Sequence, residues 1–586
     1  MKKLRQSLLN HKLAILLAIV ISIITAFPQV YFRIEHRNDG IYQGIELLPD
    51  SPWSPRAREV QDGHPNFGNI YNKDGKDNPY LFQPLGSMVV GYMGKIFSLD
   101  INNTILLSRL VLPIVTFLLI YSFVFFMSRD KFAALCSAAV LLLADSALSY
   151  FGIKQLLHGV SADNFLRMAR PVNPAMIYIF FFGFLTSFWL FYKKLDQRWL
   201  YGIISTVLLG LNFYNYFYSW TYLYAFGGIL VLILLIQKKW KEALKITSVF
   251  LGALLIAVPY VINLYNASLF PSYEEVGQRL GIIFTHGPLF VGFTVIIALG
   301  VFLLGFPKED KKRYFFGLAL LLTPFITMNQ QVITGRVMQS NHYHWFFHKP
   351  IAVIFVLIVI FHLLTLFKSR FYKEMLVTLI IISSVFIAVF TQVYSYSYDN
   401  RDGGQIAIER QKYGPVMEWL NKNAEKEAVV FGSNETSHLT VIYTPLNVLF
   451  HRALCCTTLS ATKSRVLDIL FLFYRLRGVE GESVLEVFTN ERKIVSTQIY
   501  GIYYRKLMGS YEAIPDEKIE EIAELYKETL FIPTSEWLRQ ILTQYEVEYI
   551  VWDKENDPDW QLEKYSFLKE VAVFNDIVIY QFYKDK

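Results

Sequence analysis

Cysteine is nearly absent: three residues in 586, Cys136, Cys455 and Cys456, cannot form a disulfide framework, and inert thiols are expected. Charge is also sparse. Asp, Glu, Lys and Arg make up 18% of the chain against 53% apolar residues, and the mean hydropathy of +0.33 excludes an ordinary soluble globular protein. No internal repeat and no base-binding motif is present. The net charge of +7 resides mostly in short basic clusters beside apolar runs, so nucleic acid is not expected as a partner. A small-residue cleavage site after the first apolar run is missing too, so that run is expected to stay as a membrane helix.

What is present is a series of long apolar runs. Eleven of about 17 to 23 residues, enough to cross a hydrocarbon core of about 30 Å as helices, are read near 12–30, 104–127, 131–151, 173–192, 197–214, 217–236, 243–265, 287–306, 313–329, 350–367 and 374–395. Helices are expected because each closes its own backbone hydrogen bonds in lipid. Basic residues cluster on alternate sides of these runs: Lys2, Lys3, Arg5 and Lys12; Lys193, Lys194 and Arg198; Lys238 to Lys245; Lys308 to Arg313; Lys368 to Lys373. Short loops rich in Lys and Arg stay in the cytoplasm. A multi-pass cell-membrane protein is therefore expected, with a cytoplasmic N-terminus and an extracytoplasmic C-terminal domain.

Four blocks follow: a first transmembrane helix at 1–30, a large outer loop at 31–103, a transmembrane core at 104–395 and an outer domain at 396–586. The last block changes period. Helical patterns such as YGPVMEWLNKNAEK and EKIEEIAELYKETL alternate with the strand-like runs AVVFG, EYIVW and IVIYQF, which predicts a small α/β domain with the last two runs as neighbouring strands. The expected fold class is thus an α-helical polytopic membrane protein with a large first loop and a C-terminal α/β domain.

The first loop holds more chemistry than a connector needs. In DSPWSPRAREVQDGH, Asp50 to His64, the RAREVQDG half is expected to form a short helix ended by Gly63, with Arg58 and Asp62 on one face. Asp50, an aromatic residue three positions on, the RAREV text closing in DGH and the following NPYLFQPLGSMVVGYMGKIF resemble the first outer loop of bacterial membrane glycosyltransferases of the type C superfamily. MARPVNPAM and NQQVITGRVMQSNHYHW carry the same resemblance further along the chain.

The resemblance implies transfer of a sugar from a polyprenyl-phosphate donor to a glycan, lipid or protein acceptor at the outer face. It implies an acid early in the first loop as catalytic base, matched by Asp50, with Glu46, Asp39 and Glu35 as rivals because Ser51 rather than a second acid follows Asp50. Such chemistry also needs cations on the departing phosphate. Arg167 and Arg170, three apart and on one face if helical, are candidates, as are Arg336, His342 and His344 in the loop near 328–350. Asp163 is a candidate second acid, for acceptor or for a divalent cation (Mg or Mn); no cofactor is required by the sequence. His344 and His348 have a spacing seen in metal sites, but no companion acid is near in sequence. Asp145, at the end of an apolar run, is a further costly charge. The Trp-Trp-Asp-Tyr-Gly motif of oligosaccharyltransferase catalytic subunits is missing, which argues against transfer of a whole glycan to protein asparagine. The apolar runs alone fit a transporter or flippase equally well, or a nonenzymatic component of cell-envelope polysaccharide assembly.

Overall fold

The computed structural model describes residues 9–39, 44–47, 53–161, 163–195, 199–366, 370–398, 403–451, 457–504 and 514–583. Asp50, Cys455 and Cys456 lie outside them. Among the described residues, eight helices are long and apolar enough to cross a membrane, Lys131–Leu143 and Phe293–Gly305 are shorter apolar helices, and the run expected near 197–214 forms the helix Trp199–Asn215. The chain is a mostly helical multi-pass membrane protein with a C-terminal α/β domain.

The helices that frame the site are α1 (Lys12–Glu35), α2 (Ser54–Asp62), α3 (Leu85–Ile96), α4 (Ile101–Ser128), α5 (Lys131–Leu143) and α6 (Tyr150–Leu157). Short polar side chains cap the starts of α4, α5 and α6. The Asp100 carboxylate accepts the Asn103 N–H at 2.8 Å, and Asp130 accepts those of Phe132 and Ala133 at 2.8 and 3.3 Å. Helix α2 ends as expected: Gly63 takes a left-handed φ of 107°, open to glycine at little cost, and Arg58 Nε meets Asp62 at 2.8 Å. Helix α3 lies so close on α2 that a Cβ at Gly91 would come within 2.6 Å of the Ala57 carbonyl.

Aromatic residues fill the interior between the membrane helices. Phe181, Phe184, Phe188, Phe226, Phe316 and Phe355 are fully buried in one apolar cluster, whose ring pairs range from edge-on, as in Phe188–Phe226 at 6.0 Å and 82°, to stacked, as in Phe184–Phe188 at 5.0 Å and 14°. Two further helices matter below: α7 (Lys349–Leu366) and α8 (Arg370–Tyr398).

The C-terminal domain holds a five-stranded mixed sheet of order β4-β3-β5-β7-β6, after a separate two-stranded ribbon of β1 (Ile283–Phe284) and β2 (Arg336–Val337). Its strands are β3 (Val429–Gly432), β4 (Asn447–Val448), β5 (Val547–Asp553), β6 (Leu568–Phe574) and β7 (Ile577–Phe582). β5 and β7 pair antiparallel, as the two apolar runs predict, and the segment between them supplies β6 at the edge. A buried Trp560 stacks on Phe431 at 5.2 Å beneath the sheet.

The first loop and this domain are hydrogen-bonded together. The Val448 N–H donates to the Tyr71 carbonyl at 2.8 Å, and the Asn72 amide donates to the Val448 carbonyl at 2.6 Å, so the loop covers the β4 edge. On the membrane side, the buried Arg279 donates to the carbonyls of Ile499 and Ala461 at 2.8 and 2.5 Å.

Candidate functional site

The densest charges of the first loop are consumed locally. Arg56 is buried, with its guanidinium 5.4, 5.0 and 5.5 Å from the ring centres of Trp53, Phe67 and Phe82, and it donates to the Phe82 carbonyl at 3.0 Å. Burial pulls its pKa down to about 10. Glu59 is ion-paired with Lys76, and burial nevertheless raises its carboxyl pKa. His64 meets Glu427 of the C-terminal domain at 2.7 Å. These groups build the loop.

The rival acids for the base are engaged too. Glu35 contacts Tyr396, and Asp39 lies 2.8 Å from His36. Glu46 is 2% exposed; Arg33 grips both its oxygens at 2.8 and 3.0 Å, and the Gln29 amide donates to it at 2.6 Å. Leu47, three residues before Asp50 in the chain, packs with Phe32, Phe165 and Ala407.

Arg167 and Arg170 do not share a helical face. Arg167–Ala169 form a single tight turn, and Arg170 is extended (φ −63°, ψ 139°) because Pro171 disfavours a helical conformation before it. Arg167 therefore turns to an ion pair with Asp163 and lies 5.1 Å from the Trp345 ring centre. Arg170 turns away, donating to the Asn164 carbonyl at 3.4 Å, while its buried Nε finds no hydrogen-bond partner among the described residues.

Arg170 faces a cleft lined by Thr25 and Pro28 of α1, Arg109 of α4, Gln392 of α8 and the stretch Phe165, Leu166, Ala169 and Pro171. It encloses about 310 Å³ of free space, its open mouth included. Arg109 is 3% exposed and donates to Gln29 Oε1 at 2.8 Å. Glu35, Ile101 and Tyr398 mark the same end of the bundle, since Tyr396 contacts Glu35 and Arg33 donates to Asn103 at 2.9 Å. Pro28, Arg109 and Gln392 lie seven, eight and six residues inside those ends, roughly 9–12 Å at 1.5 Å per residue. Two guanidinium groups thus meet at one shallow depth among membrane helices.

Arg109 escaped the sequence reading. A single cation within the apolar text INNTILLSRLVLPIV was the available signal, because a charge at that depth is costly unless it is paired or used. The remaining candidates occupy other positions. Arg336 is exposed on the β1–β2 ribbon, 5.2 Å from the Phe284 ring centre. His342 contacts the Tyr216 hydroxyl at 2.5 Å and sits among Tyr218 and Phe346. His344 and His348 lie in a wide π-turn with rings 6.4 Å apart at 88°, and His348 Nε2 is 2.9 Å from Thr327 Oγ1. Asp145 forms a buried ion pair with Lys349 at 2.9 Å. Among the described residues no group of three His, Cys, Asp or Glu side chains gathers as metal ligands.

No protein-family model and no curated protein matches the chain. Among solved structures, it is similar to the Archaeoglobus fulgidus oligosaccharyltransferase in its apo form, with a TM-score of 0.45 and 12% identity over 93% of this chain and 70% of that one. It is also similar to ArnT from Cupriavidus metallidurans bound to undecaprenyl phosphate, with a TM-score of 0.45 and 10% identity over 97% of each chain.

Proposed function

We propose that the chain is an integral membrane glycosyltransferase of the type C superfamily, moving one sugar from a polyprenyl-phosphate donor to a glycan, lipid or protein acceptor at the outer face of the cell membrane. The observation that carries this reading is the cleft in which Arg109 and Arg170 converge between α1, α4 and α8. A lipid phosphate keeps its chain in the hydrocarbon layer while its oxygens need fixed donors at the level where these side chains lie. The resemblance of the first loop supplies the other half, an acid positioned in sequence beside Leu47.

In this reading the acceptor hydroxyl attacks the anomeric carbon of the donor sugar and gives its proton to the Asp50 carboxylate. A new glycosidic C–O bond forms, and the bond from the anomeric carbon to the phosphate oxygen breaks. The electron pair leaves with the polyprenyl phosphate, whose growing negative charge Arg170 and Arg109 stabilise. The Arg167–Asp163 pair beside Trp345 is assigned to the sugar or acceptor side, since Arg167 is engaged by Asp163 and Trp345 rather than lining the cleft. Arg336, His342 and His344 are assigned no direct contact with the phosphate.

Lipid mass spectrometry of cells carrying the Asp50→Asn protein tests the reaction. A positioned general base contributes about 10²- to 10⁴-fold, so the variant is expected to accumulate a polyprenyl-phosphate-linked sugar and to lose its product. A lipid pool identical to that of cells with the parent protein overturns the assignment.

A further inference from the structure

Arg109 is aimed by a series of hydrogen bonds that begins in the C-terminal domain. Tyr443 ends the helix Asn434–Tyr443 of that domain. Its hydroxyl accepts the Glu46 N–H at 3.1 Å and donates to Asn102 Oδ1 at 3.1 Å. The other end of the Asn102 amide donates to the Gly44 carbonyl, so both ends of that side chain are fixed. Next comes Gln29, fully buried on α1: its Nε2 donates to Glu46 Oε2 at 2.6 Å and to the Asn102 carbonyl at 3.0 Å.

Those two acceptors decide which way the Gln29 amide points. With its NH₂ held by a carboxylate and a carbonyl, only Oε1 remains for the other side, and it accepts Arg109 Nη1 at 2.8 Å. The opposite orientation would set an NH₂ against a guanidinium and a carbonyl oxygen against a carboxylate. Arg33 occupies both Glu46 oxygens, so the charge of Glu46 is answered before Gln29. A long arginine side chain loses rotamer freedom when it engages a ligand, and a fixed amide oxygen that accepts its Nη1 removes part of that cost before a ligand arrives.

We infer that the C-terminal domain sets the affinity of the cleft for lipid phosphate, with Tyr443 and Glu46 as positioning residues that act on Arg109 through Gln29. The inference rests on the phosphate-binding reading above and adds a role for the domain. It requires Tyr443 and Arg109, linked through Glu46, Asn102 and Gln29, to be energetically coupled, whereas distant independent positions add.

The test is a double-mutant cycle on the full-length protein in detergent, titrated with undecaprenyl phosphate. Tyr443→Phe is expected to weaken binding about fivefold, the effect of one lost hydrogen bond. Arg109→Gln is expected to weaken it about 100-fold, and the double variant should be no weaker than Arg109→Gln alone. Thr458→Val, which removes another bond between the same domain and the first loop (Thr458 Oγ1 to the Gly68 carbonyl, 3.2 Å), should leave affinity unchanged and so separates positioning from general loosening. Equal loss from Tyr443→Phe in both backgrounds, no loss in the parent, or an equal loss from Thr458→Val overturns the inference and leaves the cleft reading standing. Unchanged binding by Arg109→Gln overturns the cleft reading itself.

Discussion

Arg56 in the first loop and Arg109 in α4 are hidden from solvent to nearly the same degree, 5% and 3% exposed, yet their surroundings differ in kind. Arg56 is enclosed by three aromatic rings and the Phe82 carbonyl, all contributed by its own loop. Arg109 rises from an apolar helix, donates a hydrogen bond to Gln29 of another helix and borders open space that Arg170 also faces. A charge-rich segment can close on its own partners and become architecture. A single charge on an apolar helix is met by groups from other elements, here Gln29 of α1, and a cation held in this way at the edge of a cleft marks a candidate binding position.

Exchanging these two arginines for neutral residues should therefore produce opposite outcomes. Arg109→Gln is expected to reduce undecaprenyl phosphate affinity about 100-fold while leaving thermal stability equal or slightly higher, because a buried cation is removed together with its desolvation cost. Arg56→Ala should do the reverse. It strips a packed guanidinium from three rings and should destabilise the loop by about 2 kcal/mol, seen as faster hydrogen exchange across α2, with lipid affinity within about twofold of the parent. If Arg56→Ala weakens lipid binding as strongly as Arg109→Gln, the division between architecture and site fails.

A smaller effect concerns a carboxyl in the C-terminal domain. Burial first, and then Asp553, raise the Asp557 pKa to about 6. Because the folded state holds this proton more tightly than the unfolded chain does, the associated stability is fully present below about pH 4 and is lost as pH rises through about 6. The thermal midpoint of the domain should accordingly gain from Asp557→Asn at pH 8 and show little difference at pH 4.5; an equal gain at both pH values contradicts the assignment.

Much of this architecture was legible in residue order. Long apolar runs, basic flanks, the Gly63 stop and the strand-like runs of the C-terminal domain are local signals, and the helices and paired strands lie where those signals fall. The site was less legible because its parts are related only through three dimensions. Arg167 and Arg170 read as neighbours on one helical face, but Pro171 extends the chain at Arg170 and sends the two side chains to different partners. Glu46 read as a rival base, and its enclosure by Arg33 and Gln29 became visible only when α1 and the first loop were brought together. The β6 strand was missed because its text, LKEVAVF, carries no strict alternation.

The central claim is most directly tested by a cryo-electron microscopy map of the full-length protein with undecaprenyl phosphate bound. Phosphate density is expected in the cleft, within hydrogen-bonding reach of both Arg109 and Arg170. Density at Arg336 or His342, with the cleft between α1, α4 and α8 unchanged, would contradict it.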